Sequence, residues 1–150
     1  MLSKTAEYAL RAMTCLAEQP SQLLTTQWIA ETSQVPSDYL AKVLNSLAEA
    51  DLVLSQRGRN GGFSLARPAE ELTVLEIVNA VDPIRRIPYC PLGKVEHGEH
   101  LCPLHRELDN AYAVVERTFA ARRLADLIGV PSDDAAACNF PILAAQPAGR

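Results

Sequence analysis

Between Val35 and Pro68 the hydrophobic period of the sequence changes, and that change limits the fold more than any other feature. The stretch "VPSDYLAKVLNSLAEADLV" places Leu40, Val43, Leu44 and Leu47 on one helical face. The next stretch, "LVLSQRGRNGGFSLARP", reads as two alternating runs, 53–56 and 63–66, around Arg57-Gly58-Arg59-Asn60-Gly61-Gly62. Those glycines are expected to supply the positive-φ residues of a hairpin turn. Upstream, Thr26 is placed to cap a short helix carrying Trp28, Ile29 and Ala30; residues 33–36 break it, and Ser37 is placed to cap the next helix. Helices joined so tightly cross steeply, so the second projects the polar side of its first turns outward. Helix, turn, helix and basic hairpin in that order predict a winged helix-turn-helix.

The side chains so presented are Ser37, Asp38, Tyr39 and Lys42, with Asn45 behind them, and the hairpin tip offers Arg57, Arg59 and Asn60. A helix in the major groove would read base edges there, while the arginines add phosphate contacts and sense groove shape. An ordinary helix pair with a solvated basic turn is the alternative. Taken as a sum, a net charge of -4 opposes a nucleic-acid partner. Residues 1–67, however, hold six basic and six acidic side chains, so the whole deficit lies in residues 68–150. A local arginine cluster can attract phosphate whatever the sum. One copy reads too few base pairs, which calls for a homodimer on double-stranded DNA with a pseudo-palindromic operator.

The remaining segments arrange themselves around this unit. A helix from about Ser3 to Glu18 is a packed scaffold, with Cys15 read as a small core hydrophobe. A helix at 72–83 links the wing to the loop that follows. From Pro103 to about Ala121, Leu104, Leu108, Ala111, Val115 and Phe119 line one face, expected to be the two-fold interface, with "RRLADLIGV" closing back onto the core. Packing of that face against its own N-terminal domain is the alternative. The expected class is mainly α, a winged helix-turn-helix domain with a long C-terminal dimerisation helix. Its parts are 1–82 with the wing at 53–67, a sensor loop at 83–102, the dimerisation helix and closing segment at 103–130, and a flexible tail at 131–150, where Cys138 is read as incidental.

The loop and the start of the last long helix do not look like core. Cys90, Glu96, His97, Glu99, His100, Cys102 and His105 crowd together with few large apolar residues. The opening residues lack a signal-peptide pattern and no apolar run approaches bilayer length, so a cytoplasmic protein without a membrane partner is expected. In a reducing compartment, four unevenly spaced cysteines argue for metal binding, redox chemistry or burial rather than disulfides. His105 lies at helical spacing from Cys102, so both can face one point, whereas His97 and His100 lack that support. Two cysteines and two of the three histidines would make an ordinary tetrahedral zinc set.

Taken together, "AEYALRAM", "VPSDYLAKVLNSLAEADLV", "RGRNGGFSL", "LTVLEIVNAVD", the cysteine loop and "LADLI" resemble the winged-helix regulators that include IscR and NsrR, over about residues 1–130. The resemblance implies a homodimeric transcription factor, usually a repressor, that in many members senses iron supply, nitric oxide or redox state through an iron-sulfur cluster. Cluster-bearing members typically carry three cysteines in this loop, the first and last twelve residues apart. Cys90 and Cys102 keep that separation, but Val95, Glu96 and His97 stand where the middle cysteine belongs. His105 matches a ligand of the IscR branch, and Glu7 matches an acidic ligand that the partner subunit donates in the nitric-oxide-sensing branch.

The implied cofactor is a 2Fe-2S cluster held by Cys90, Cys102, His105 and either Glu7 or His97; mixed nitrogen or oxygen ligation raises the potential of such clusters. Zinc and an empty loop are the alternatives. From a different class, a small metal or redox protein that ignores DNA would use the same loop. No catalytic triad order, phosphate-cradling loop or carboxylate pair supports an enzyme, and an electron carrier has no use for the arginine hairpin.

Overall fold

The computed structural model describes residues 2–92 and 100–128. Helix α1, Lys4–Glu18, starts where the Ser3 hydroxyl accepts from the Ala6 N–H at 3.2 Å, and it buries Ala6, Ala9, Leu10, Met13 and Leu16 on one face. Helix α2, Thr26–Ser33, is capped one residue earlier than expected. Thr25, not Thr26, accepts from the Trp28 N–H at 3.2 Å. Gln34 then takes a left-handed conformation, φ 55°, and the Val35 N–H donates to the Ala30 carbonyl at 3.1 Å, turning the chain sharply.

Helix α3, Ser37–Glu49, buries Leu40, Val43, Leu44 and Leu47. Ser37 is its first residue and not its cap. The cap is Pro36, whose carbonyl accepts from the N–H groups of Tyr39 and Leu40 at 3.0 and 2.9 Å with no side-chain bond. Proline fixes its own φ and needs no N–H at this position, so the Ser37 hydroxyl stays on the surface.

Strands β1, Val53–Gln56, and β2, Gly62–Leu65, pair antiparallel with Val53 opposite Leu65 and Gln56 opposite Gly62. A third chain segment joins them: Leu24 exchanges both backbone hydrogen bonds with Phe63, at 2.9 and 2.8 Å. The turn glycines work differently from expectation. Gly58 alone among them has positive φ, 116°. Gly61 and Gly62 are needed for close approach, since a Cβ on Gly61 would strike the Gln56 carbonyl and one on Gly62 would lie 2.6 Å from the Leu24 carbonyl oxygen. Gly62→Ala should therefore prise the wing off the Leu24 segment. We expect a loss of about 1–3 kcal/mol in urea unfolding, as for other overpacked sites, and unchanged unfolding would contradict the close approach.

Helix α4, Val74–Val81, begins with a capping box in which Thr73 and Glu76 exchange hydrogen bonds, and it buries Val74, Ile77 and Val78. Helix α5, Pro103–Ala121, has no buried residue along its 19 positions. After it a short 3₁₀ turn, Leu124–Leu127, ties the chain back to the body. The Leu124 N–H donates to the Leu72 carbonyl at 2.8 Å, the Val74 N–H to Arg122 at 2.9 Å, and the Leu124 side chain is fully buried. The core gathers α1, α2, α3, α4, the base of the wing and Leu124. The fold is mainly α with one small antiparallel sheet, a winged helix extended by a long C-terminal helix. Among the described residues no helix is long and apolar enough to cross a membrane.

Candidate functional site

Two surfaces carry chemistry. The first is the exposed start of α3 with the wing tip. Ser37, Asp38, Lys42 and Asn45 are exposed on α3, and Arg57, Arg59 and Asn60 are exposed on the wing. A groove lined by Thr25, Thr26, Asn45, Ser55, Gln56 and Arg57 connects α2, α3 and the wing. Thr25 and Thr26 escaped the sequence reading because the contact of Leu24 with the wing, which brings them there, has no local signature. Tyr39 is also exposed, but it is held from behind. Its hydroxyl lies 2.6 Å from the Thr5 Oγ1, and its ring meets that of Tyr8 edge-on with centroids 5.5 Å apart. This brace fixes the first turn of α3 to α1.

Arg67 at the foot of the wing pairs with Glu76 of α4 at 2.8 Å. Partial burial alone would raise the Glu76 carboxyl, but hydrogen bonds from Arg67 and from the Thr73 N–H and hydroxyl pull its pKa down to about 2. A depressed carboxylate stabilises the fold above its unfolded value, 4.5 here, and that contribution is lost as pH falls towards 2. Glu76→Gln should flatten the acid limb of stability between those values. Urea midpoints measured across that range check it, and an unchanged slope would mean that the pair does not couple wing to α4.

The second surface is a cluster of soft donors. The segment after α4 brings in Cys90, Cys102 stands at the N-cap of α5, and His105 follows within its first turn. The His105 Nδ1 lies 3.1 Å from the Cys102 Sγ and 3.7 Å from the Cys90 Sγ, and all three ligand atoms fall within 4.8 Å of one another. Both thiols are buried, and neither is in a disulfide. Glu7, in the first turn of α1, does not join this group within the chain. His100 is exposed and also stands apart. His97 lies outside the described residues, as do Cys138 and the expected tail. Cys15 packs on α1, where burial pushes its thiol up to about 11, as expected of an inert core cysteine.

Residues 2–129 match the Rrf2 family, described as iron-dependent transcriptional regulators. The chain belongs to the Rrf2 family. Among relatives of this Rrf2 protein, a candidate HTH-type transcriptional regulator of Aquifex aeolicus is 28% identical over 133 residues, 87% of this chain and 92% of that protein. The structure of CymR, the global cysteine regulator of B. subtilis, superposes with a TM-score of 0.67 at 27% identity, covering 85% of this chain and 95% of that one. T. potens IscR superposes with a TM-score of 0.69 at 23% identity over 85% of each chain, a likeness of fold. This Rrf2 protein is thus a transcriptional regulator with a DNA-binding fold.

Proposed function

We propose that the chain is a cytoplasmic, homodimeric repressor that binds a pseudo-palindromic operator and senses iron-sulfur, redox or nitric oxide state at Cys90, Cys102 and His105. The observation that carries this reading is the convergence of two buried thiols and an imidazole from separate segments on one point. Three soft donors so placed fit a metal centre, since sulfur and imidazole ligands suit iron-sulfur clusters and zinc alike. Glu7 of the partner subunit or His97 would complete the ligand set.

An iron-sulfur cluster, bound as 2Fe-2S, would supply a centre that exchanges electrons and reacts with small oxidants. The protein supplies the rest. Cys90 closes one side of the site from the segment after α4, while Cys102 and His105 close the other from α5. A change in how these residues pack alters the relation of α5 to α4 and the body that carries α3. DNA affinity then changes by the difference in ligand affinity between the two arrangements. Ser37, Asp38, Tyr39 and Lys42 face the major groove, and Arg57, Arg59 and Asn60 contact phosphates or the minor groove.

Zinc is a second reading, favoured because all three ligand atoms lie within 4.8 Å of one another, close enough to share a single ion. In a tetrahedral site a sulfur and a nitrogen on one zinc ion lie about 3.6 Å apart. The two separations from His105, 3.1 and 3.7 Å, bracket that value.

Anaerobic iron, zinc and sulfide analysis of the freshly isolated protein, paired with salt-dependent titration of promoter DNA, tests the proposal. Iron and sulfide near two per chain with strongly salt-dependent DNA binding support the cluster sensor. Zinc near one per chain selects the second reading. Neither metal, or no preference for any promoter over random duplex, removes the sensor or the regulator respectively.

A further inference from the structure

The segment that delivers Cys90 has little of its own to hold it. Residues 83–89 run without helix or strand between α4 and the sensor site, and Ile84 and Ile87 are partly buried while the others are exposed. Chain of this kind samples many conformations, yet the Cys90 Sγ sits 3.7 Å from His105. Something must fix it there.

At the start of the segment the Ile84 N–H donates to the Asn79 Oδ1 of α4 at 3.0 Å, and nearer Cys90 the contacts converge on one side chain of α5. Asp109 accepts three hydrogen bonds from the incoming segment: from the Arg86 Nε at 2.7 Å, from the Arg86 Nη2 at 2.5 Å and from the Ile87 N–H at 2.8 Å. Glu116 adds a longer contact to the Arg86 Nη1 at 3.5 Å. The Arg86 fork is bidentate, the geometry in which a guanidinium and a carboxylate lose least on ordering. The Asp109 side chain is largely covered, 16% exposed. Four residues separate Asp109 from His105, one helical turn, and four residues separate Arg86 from Cys90. The clamp therefore lies about one turn from His105, on the helix that carries Cys102 and His105.

We infer that Asp109 and Arg86 form a positioning pair that holds the Cys90 thiol against Cys102 and His105, ready to ligate before any metal arrives. The pair touches no ligand atom. Its effect is on where the Cys90 backbone sits. This inference extends the proposed sensor site, and the thiol measurement below stands whether or not a metal binds there.

The test uses the full-length metal-free protein with Asp109→Ala, Asp109→Asn and Arg86→Ala. Iodoacetamide labelling is followed at each cysteine by peptide mass spectrometry, and Co2+ is titrated by its sulfur-to-cobalt absorbance. Arg67→Ala, which breaks the remote pair with Glu76, serves as the control and should label Cys90 like the parent. Asp109→Ala and Arg86→Ala should label Cys90 about three- to tenfold faster, a modest factor because Arg86 is half-exposed. Labelling of Cys15 should not change. Asp109→Asn, which keeps one acceptor oxygen for Ile87 and Arg86, should fall between. Cobalt affinity should drop about tenfold in the alanine variants, as for other residues that orient a ligand from behind. Unchanged Cys90 labelling in folded Asp109→Ala and Arg86→Ala overturns the positioning role, even if cobalt affinity falls. Faster labelling with no cobalt bound by any version, including the parent, supports the positioning pair and sinks the metal-site reading instead.

Discussion

Cys102→Ala should lose all retained metal and make operator affinity indifferent to iron supply or oxidant, while the protein still folds and still binds DNA. The fold survives because Cys102 occupies the α5 N-cap without a side-chain hydrogen bond, so its sulfur caps nothing. Neither Cys102 nor Cys90 belongs to the hydrophobic cluster built on α1, α3 and α4. The site cannot survive, because the Cys102 sulfur is the donor nearest His105, at 3.1 Å. Cys90→Ala should behave alike. Retained metal per chain and operator affinity with and without oxidant are the measurements. A Cys102→Ala protein still regulated like the parent would remove these residues from the signalling route.

The second large effect is on DNA. Arg57→Ala with Arg59→Ala should weaken operator binding by roughly one to two orders of magnitude and lower the salt slope by about two for each protomer engaged. Both side chains are exposed at the tip, and the described ion pairs of the chain involve Arg67 and Arg86 instead. Their removal therefore leaves the fold untouched, and unfolding midpoints should match the parent. Fluorescence anisotropy over a salt series measures the slope. An unchanged slope would mean that the wing stays clear of the phosphates.

Much of this was legible in the sequence because periodicity is local. The spacing of Leu40, Val43, Leu44 and Leu47 defined α3, and the Gly-rich turn between alternating runs defined the wing. The misses have local reasons too. Thr25 and Thr26 are adjacent and chemically equal as caps, and only the path of the chain at Leu24 chooses between them. Ser37 is the first helical residue rather than the cap because the helix begins directly after Pro36, and this N-terminus has no side-chain cap. Gly61 and Gly62 looked like positive-φ residues, but their role comes from backbone packed close against them, including the carbonyl of distant Leu24, which no turn rule anticipates. At the thiol–imidazole cluster, the spacing of Cys102 and His105 announced a pair on one helical face. The arrival of Cys90 depends on Arg86 meeting Asp109 across 23 residues, a contact that sequence spacing does not encode.

Helix α5 is fastened to the body at its far end, through the backbone bonds of Arg122 and Leu124, and carries the soft donors at its near end. Nineteen residues of helix span about 28 Å, so a tilt about a hinge near Leu124, which the Arg86 clamp on Asp109 and Glu116 resists, is magnified at Cys102. Each ångström of travel at Cys102 then corresponds to about two degrees of swing at the hinge. In the proposed sensor, a small rearrangement at the thiols would thus reach the rest of the chain as a change of a few degrees in the tilt of α5.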